Sequence, residues 1–292
     1  MMLQVLQALV IGILCAREDS AAQRPEASAD PEAGQVALAG WRAPFDGPIA
    51  TDRPDFTEST STIPRGRFQV EGGYTFSAHR RRDRRTTDHA LPELLLRSGL
   101  FEDVELRIGW EGVSLTEEAF RIRNDAGRRR NVQQHDDGGT DMNVGFKVSL
   151  LESDGLRPAL SVIGALSLPT GAASKTSGDV DPEAKLLWGY PLSERLGLSG
   201  NFNFAVPSDE TGRFLQCAAS ISLSFSISDW LGTYVEYFGF YPNERGADGA
   251  HYLNGGLTFP ITEDLQFDVR AGCGLNEAAD DLFTGVGFAF RF

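Results

Sequence analysis

The sequence is short of the residues that build metal and redox sites. Its 292 residues include three cysteines and four histidines, with no CxxC pair and no Cys/His cluster. Cys217 and Cys273 stand at apolar positions of two different strand-like segments, as buried or lipid-facing thiols do. The spacing argues against a structural zinc site, and we expect neither a metal nor a cofactor.

Basic residues and long apolar runs are also scarce. The chain has 27 Lys and Arg against 41 Asp and Glu, a net charge of −14, whereas a surface that binds phosphates needs an excess of Lys and Arg. We therefore expect no nucleic-acid partner. No window approaches the about 20 consecutive apolar residues that a transmembrane helix requires, which argues against a helical membrane protein.

The longest apolar stretch lies at the N-terminus. Residues 3–16, "LQVLQALVIGILCA", have the length of a signal-peptide core, and the small residues Ser20 to Ala22 follow as a cleavage region. We predict a signal peptide over residues 1–22 and therefore export. A buried helix is the alternative, and Cys15 raises a lipoprotein as a weaker one. Residues 23–64 are rich in Ala, Pro, Asp and Ser without periodicity, which predicts an extended periplasmic segment.

Apolar and polar residues alternate with a period of two from residue 65 to the C-terminus. The clearest run sets Val104, Leu106 and Ile108 against Glu105 and Arg107, which is the pattern of a β-strand with two unlike faces. Twelve such runs of 8–13 residues follow one another. The repeated alternation therefore predicts an all-β domain over residues 65–292.

The links between the runs alternate between short and long. "SGLFED", "PLSER" and "PITED" are short, whereas residues 78–88, 112–140 and 169–181 form longer links. An outer-membrane barrel has tight periplasmic turns, long outer loops and an even number of strands. We predict a transmembrane antiparallel up-and-down β-barrel of about twelve strands, with residues 112–140 as an extracellular loop. A soluble β-sandwich is the alternative, and its links would not alternate in length.

The C-terminal stretch "TGVGFAFRF" has a bulky face and a small face. Phe288, Phe290 and Phe292 share one face, and Gly285 and Gly287 share the other. A terminal residue is normally frayed and wet, so a large aromatic residue there indicates an apolar environment outside the strand. We expect the phenylalanines to face lipid and the small residues to line the barrel wall.

Five stretches of the sequence match a known family in order. They are "IATDRPDFTESTSTIPRGRFQVEGGYTF" (49–76), "LPELLLRSGLFEDVELRIGW" (91–110), "LPTG" (168–171), "YVEYFGF" (234–240) and "LQFDVRAGCGLN" (265–276). With these stretches the chain resembles the outer-membrane proteins of the family named for the MetA pathway of phenol degradation. The resemblance implies a transporter-like barrel in the outer membrane of a Gram-negative-type bacterium, and passage of small aromatic compounds. The terminal phenylalanines 288, 290 and 292 resemble the signal that the barrel-assembly machinery recognises, which implies that machinery as a partner.

If the apolar side chains of each strand face outward, a set of charged and aromatic side chains faces the inside of the barrel. The predicted lumen-lining residues are Glu71, Glu105, Arg107, Lys147, Glu183, Lys185, Tyr234, Glu236, Phe238, Asp268 and Arg270. A barrel of this size is only modestly wider than one that side chains can fill. The charges would then form ion pairs that support the wall, or line a narrow polar path, and the two roles are compatible. The inward aromatic rings would guide aromatic solutes or pack on a loop or the N-terminal segment.

The stretch "TDRPDFTEST" before the first strand has no strand-like alternation. Pro54 fixes its own backbone dihedral and favours an extended residue before it, so Asp52, Arg53 and Asp55 form a preorganised charged trio. We predict that this segment enters the periplasmic mouth of the barrel and acts as a plug, pairing with inward charges such as Asp268 and Arg270. A solvated linker is the alternative.

These patterns favour a passive outer-membrane channel for small solutes, aromatic or hydrophobic ones among them. The alternative is a non-transporting structural or adhesion barrel of the envelope. An outer-membrane hydrolase is less favoured, because none of the four histidines stands in a GxSxG or HExxH context, and we do not expect an enzyme. The basic runs at residues 79–85 and 128–130 would lie in outer loops, where they would meet lipopolysaccharide phosphates or form a solvated face. Outer-membrane lipid and lipopolysaccharide are therefore the expected surroundings.

Overall fold

The computed structural model describes residues 48–292, apart from residues 83, 124–128, 210, 243 and 245. The predicted signal peptide and residues 23–47 lie outside this part. Every regular element of the described part is a β-strand. The strands are β1 (Phe68–Arg81), β2 (Arg84–Phe101), β3 (Val104–Arg123), β4 (Arg129–Gly139), β5 (Met142–Leu151), β6 (Ala159–Leu168), β7 (Asp181–Pro191), β8 (Leu196–Ala205), β9 (Ser208–Asp209), β10 (Gly212–Arg213), β11 (Gln216–Ser228), β12 (Leu231–Tyr241), β13 (Ala250–Thr262), β14 (Leu265–Gly274) and β15 (Leu282–Arg291).

Twelve of these strands close into one antiparallel barrel. In chain order they are β1, β2, β3, β5, β6, β7, β8, β11, β12, β13, β14 and β15, and each pairs with the next. The barrel closes where β15 pairs with β1, with Gly73 opposite Gly287 and Glu71 opposite Ala289. The predicted all-β, twelve-stranded, up-and-down architecture is confirmed.

The loop predicted for residues 112–140 is mostly strand, whereas its extracellular placement stays a prediction. Strand β3 continues to Arg123, and β4 pairs with its second half and with no other strand of the described part. The prediction for residues 78–88 is wrong in the same way, since β1 runs to Arg81 and pairs there with Arg84 of β2. Antiparallel pairing satisfies the backbone hydrogen-bonding groups of these extensions, so strands replace the expected loops.

The two ends of the barrel differ in how the strands are joined. At one end, here called the turn end, residues 102–103, 152–158, 192–195, 229–230 and 263–264 connect neighbouring strands. The opposite end, here called the loop end, carries the β3–β4 hairpin and the links over residues 169–180 and 206–215. Most long links lie at the loop end, as the sequence pattern predicts. The exceptions are the link between β1 and β2, which end and begin at Arg81 and Arg84, and the longest link, much of which is strand.

The barrel has an apolar outer face and a polar inner face. Large apolar side chains on the outside are about half exposed, among them Phe146 at 49%, Phe202 at 47% and Phe267 at 48%. Charged side chains that point inward are fully buried, among them Glu71, Arg97, Glu105 and Lys147. This inversion of the usual pattern fits a barrel that is surrounded by lipid. No helix of the described residues has the length and hydrophobicity needed to cross a membrane.

Candidate functional site: the barrel lumen and the segment inside it

Residues 49–63, called the lumen segment below, lie inside the barrel. The backbone N–H of Ile49 donates a hydrogen bond to the carbonyl of Glu263 in the β13–β14 turn, at 2.7 Å. The backbone N–H of Ile63 donates to the carboxylate of Glu105, the second residue of β3, at 2.8 Å. Both contacts lie near the turn end. The lumen segment therefore enters and leaves the barrel from that end.

The middle of the lumen segment reaches an aromatic cluster in the loop-end half of the barrel. The ring of Phe56 stacks on Phe238 with centroids 4.7 Å apart, and Phe240 meets Phe56 edge-on. Phe238 also stacks on Tyr252 at 4.7 Å, and Phe283 packs against both. An aromatic pair stabilises by about 0.5–1.5 kcal/mol beyond the burial of its surface. The inward Phe238 therefore packs on the N-terminal segment, one of the three arrangements that the sequence pattern allows.

Asp52 of the lumen segment binds three cations of the barrel wall. Its carboxylate accepts hydrogen bonds from the Nζ atom of Lys147, at 2.9 and 3.0 Å, and from the guanidinium of Arg107. The guanidinium of Arg97 lies 3.6 Å away. The backbone N–H of Asp52 donates to the carboxylate of Glu71, at 3.0 Å.

The wall around Asp52 carries one more positive than negative charge. The wall members of this group, here called the basic cluster, are Arg97, Arg107, Lys147, Glu71 and Glu105. Asp52 supplies the missing negative charge, which balances the group at three and three. Burial by itself would raise the pKa of the Asp52 carboxyl, but the charges of Arg97, Lys147 and Arg107 hold it well below its ordinary value. Asp52 is therefore ionised when the segment occupies the lumen.

Arg53 meets a wall group of the opposite sign. Its guanidinium lies 3.1 Å from the carboxylate of Glu93 and 3.5 Å from that of Asp268. Arg270 lies 3.7 Å from Glu93 and donates a hydrogen bond to the carbonyl of Pro54, at 3.0 Å. Without Arg53 this wall group, here called the acidic cluster, has two carboxylates and one cation. Neighbouring residues of the lumen segment thus balance two wall clusters of opposite net charge.

Two glycines of the wall make room for Arg53. Gly73 of β1 and Gly287 of β15 stand opposite each other in the sheet. A Cβ atom added at either position would collide with the guanidinium of Arg53. The small face of the C-terminal strand therefore provides the space that the Arg53 side chain of the lumen segment occupies. The sequence pattern did not reveal this role.

A carboxylate of the wall holds the backbone of the lumen segment. Glu236 accepts hydrogen bonds from the backbone N–H groups of Phe56, at 2.8 Å, and Thr57, at 2.7 Å. The neighbouring Asp55 carboxylate accepts one from the hydroxyl of Ser222, at 3.0 Å. Burial raises the pKa of Asp55 well above its ordinary value, and the nearby charge of Glu236 raises it further.

Glu58 connects the lumen segment to strands β3 and β7, on another side of the barrel from Glu236. Its carboxylate lies 2.9 Å from the Nζ atom of Lys185 and 3.4 Å from the guanidinium of Arg107. Burial acts to raise the pKa of Glu58, but the charges of Lys185 and Arg107 lower it below the ordinary value. Lys185 also lies 3.4 Å from Glu183, its neighbour on the inner face of β7.

The lumen segment leaves two cavities inside the barrel. The turn-end cavity has a volume of about 730 Å³, and its lining includes Thr57–Thr62, Glu102, Glu152, Tyr190, Ser199 and Ser224. The loop-end cavity has a volume of about 380 Å³, and its lining includes Arg53, Glu58, Glu93, Glu111, Glu183 and Lys185. Hydroxyl groups and carboxylates are prominent in the turn-end cavity, whereas the loop-end cavity combines charged side chains with apolar ones such as Leu95, Trp110 and Ile163.

The structure brings most of the predicted lumen residues against the lumen segment. Asp52 and Arg53 contact charged wall residues, whereas Asp55 contacts a serine. Nine of the predicted wall residues contact the segment, namely Glu71, Glu105, Arg107, Lys147, Lys185, Glu236, Phe238, Asp268 and Arg270. Glu183 lines the loop-end cavity beside Lys185. The buried Tyr234 instead forms a hydrogen bond with Asn254. Phe288, Phe290 and Phe292 lie on the outer face, 38%, 44% and 51% exposed. Their role in assembly stays a prediction.

Sequence reasoning missed Glu58 and Thr57 as contact residues. Thr57 bonds through its hydroxyl to Glu236 and to Ser220, both at 2.7 Å. Both residues belong to the stretch that carries the charged trio, and the only signal was their position next to it. Within the described ranges, no group of three or more His, Cys, Asp or Glu is arranged to hold a metal ion.

Comparisons with known proteins agree with this architecture. The sequence model of the family described as "Putative MetA-pathway of phenol degradation" matches residues 51–292. Among solved structures, the chain is similar to the COG4313 outer membrane channel from Pseudomonas putida F1, with a TM-score of 0.58 and 14% identity over 82% of this chain and 99% of that chain. This similarity shows the fold of an outer-membrane β-barrel.

The chain also has weaker structural similarities to two porins. The NanC porin has a TM-score of 0.44 and 12% identity over 76% of this chain and 98% of that chain. The KdgM porin has a TM-score of 0.45 and 11% identity over 77% of this chain and 99% of that chain. A comparison with curated proteins gave no match.

Proposed function

We propose that this chain, which belongs to the family described as putative MetA-pathway of phenol degradation, is a passive outer-membrane channel for small solutes. The observation that carries the proposal is the inside of the barrel. A polar lumen holds one cavity toward each end, with the lumen segment between them. A barrel that served only as an envelope component would need no such pair of cavities.

In this proposal the lumen segment is a plug. Its charges complete two wall clusters that are unbalanced without it, so that the closed state is electrostatically satisfied. The segment enters from the turn end, which the usual topology of outer-membrane barrels assigns to the periplasm. The plug would therefore act from the periplasmic side and limit the channel to small solutes.

Small aromatic compounds that carry a polar group are the proposed solutes. The family description names phenol degradation, and the turn-end cavity offers hydroxyl groups such as those of Thr60, Ser61 and Ser199 to a phenolic oxygen. The inward Phe238 is not free to bind such a solute, because its ring packs on Phe56. The solute class therefore rests on the family and on the polar lining.

Liposome swelling tests this proposal with neutral solutes that do not cross lipid. Purified protein is placed in liposomes, and swelling is compared in methyl glucoside and phenyl glucoside, which differ only in carrying a methyl or a phenyl group on the glycosidic oxygen. The same measurement is made on a variant that lacks residues 49–63. We expect slow swelling with the full chain and fast swelling with the variant, and the phenyl compound should enter at least as fast as the smaller methyl compound.

The opposite results are equally clear. If the variant inserts as a folded barrel and gives no swelling, the chain is a non-transporting barrel and the channel proposal fails. If entry falls strictly with solute size in both forms, transport stands but the preference for aromatic solutes is wrong. Folding is checked by heat-modifiable migration of the barrel in gels before each measurement.

A further inference from the structure

The two cavities approach each other at a single side chain. Of all residues that line them, Glu58 alone belongs to both linings. Its carboxylate is held between Lys185 of β7 and Arg107 of β3. On this side of the barrel the lumen segment does not fill the space against the wall, and the Glu58 side chain with its two cations separates the cavities.

We propose that solutes pass beside the lumen segment rather than through a lumen emptied of it, and that Glu58 with Lys185 is the gate on this route. The proposal rests on the channel function proposed above and adds the route and its gate. It differs from plug release, because the lumen segment stays in place while one ion pair opens.

The neighbours of Glu58 are anchored by contacts that do not involve its side chain. Thr57 is held by Glu236 and Ser220 through its backbone N–H and hydroxyl groups. The carbonyl of Ser59 accepts a hydrogen bond from Lys147, at 2.8 Å. The carboxylate of Glu58 can therefore change rotamer while the backbone on either side remains bound. Side-chain rotamer changes are far faster than the release of a bound segment.

The charges along this route predict its ion selectivity. The turn-end cavity is lined by five carboxylates, Asp55, Glu58, Glu102, Asp103 and Glu152, and by no Lys or Arg. The loop-end cavity adds three carboxylates, Glu93, Glu111 and Glu183, against the three cations Arg53, Arg107 and Lys185. An excess of one sign in a confined passage raises the local concentration of the opposite ion. The route should therefore admit small cations and neutral solutes in preference to anions.

A tether that keeps the lumen segment in place isolates this gate from plug release. The side-chain oxygens of Thr57 and Ser220 lie 2.7 Å apart, so the double change Thr57→Cys and Ser220→Cys places two sulfurs within bonding reach. The two outward-facing native cysteines are replaced by serine. Planar-bilayer conductance and the reversal potential in a KCl gradient are then measured on the oxidised protein, with Glu58 intact, Glu58→Ala or Glu58→Gln. Glu194→Ala in the exposed β7–β8 turn is the matched control.

We expect a several-fold rise in conductance for Glu58→Ala in the tethered protein, with a reversal potential of the cation-selective sign. Glu58→Gln keeps the size of the side chain and loses its charge, so it should give a smaller rise, and Glu194→Ala should change nothing. If the variant lacking residues 49–63 conducts but tethered Glu58→Ala and Glu58→Gln match their parent, the gate is not at Glu58. Anion selectivity in the opened tethered protein would also overturn the route. If the variant lacking residues 49–63 does not conduct, the channel proposal itself fails.

Discussion

Replacing Asp52 by alanine should release the lumen segment from the barrel. Asp52 balances the basic cluster, where Lys147 and Arg107 donate hydrogen bonds to its carboxylate and Arg97 lies 3.6 Å away. The side chain is buried, with an exposed fraction of 8% for the residue. Asp52→Ala leaves three cations facing two carboxylates in the barrel interior, and it also leaves the backbone N–H of Ser59 without its acceptor.

The size of the effect follows from the cost of an unpaired buried charge. Removing one partner of a buried ion pair costs about 3–5 kcal/mol. Because a factor of ten in an equilibrium corresponds to about 1.4 kcal/mol, the equilibrium between bound and released segment should shift about a hundred- to several-thousand-fold toward release. The strands need not unfold, because their hydrogen bonds and lipid-facing side chains are unchanged.

Cysteine labelling measures this release directly in a protein whose native cysteines are replaced by serine, because Cys273 is exposed in the native chain. Thr57 is 4% exposed inside the barrel, so a cysteine at this position reacts with a maleimide only when the segment leaves the lumen. When rebinding is fast relative to the reaction, the labelling rate reports the population of the released state. We expect Asp52→Ala to raise the labelling rate at Thr57→Cys by about two to three orders of magnitude. The exposed Asp154→Ala serves as the control, and its labelling rate should equal that of the parent.

A labelling rate for Asp52→Ala within a factor of about two of its parent would refute the reasoning, since it would put the free-energy change well below the cost of an unpaired buried charge. The charge balance at Asp52 would then not hold the segment in the lumen. Asp52→Asn distinguishes charge from shape, because the amide fits the same space without the negative charge. It should label nearly as fast as Asp52→Ala if charge balance is the cause.

Three further predictions concern the space that Arg53 occupies beside Gly287, the pH dependence of stability and the topology in the membrane. Gly287→Ala should displace Arg53, because an added Cβ collides with its guanidinium, and both the unfolding temperature and the retention of the segment should fall. Gly139→Ala in β4, where an added Cβ meets nothing nearer than the Trp110 ring at 3.7 Å, should leave the segment in place. The pKa of Asp55 is raised in the folded protein, so its stabilising effect is complete below its ordinary value of 3.8 and is lost as the pH rises through the raised value. Asp55→Asn should therefore raise the unfolding temperature at neutral pH and leave it unchanged below pH 3.8, and equal shifts at both pH values would contradict this sign. Trypsin added to intact cells should cut near residues 128–130, and cleavage only after the periplasm is opened would reverse the topology.

The barrel was predictable because lipid imposes a simple rule on every strand. Each strand must place apolar side chains outward and small or polar ones inward, and this requirement leaves a period of two in the sequence. Glu105 and Arg107 could be assigned to the lumen on that ground, and the structure places both inside. The rule weakens beyond the barrel, where the second half of β3 faces no continuous apolar environment. The β3–β4 hairpin therefore looked like a charged loop.

The contacts of the lumen segment could not be derived from the sequence in the same way. Asp52 and Lys147 are 95 residues apart in the chain, and their meeting depends on the register and curvature of the whole barrel. The prediction that the charged trio meets inward charges named Asp268, which lies 3.5 Å from Arg53. It did not name the basic cluster around Asp52 or the role of Glu58. Local patterns identify which charges face inward, whereas the choice of partners is a property of the closed barrel.

Single-channel recording tests the central claim that the lumen segment restricts a pore. The full chain is compared with the variant lacking residues 49–63 in the same lipid and salt. The segment occupies the space between the two cavities, so its removal should join them into one passage. We predict small or rare conductance steps for the full chain and large, stable steps for the variant. Equal conductance of the two folded proteins would contradict the claim, because the segment would then not restrict the passage of ions.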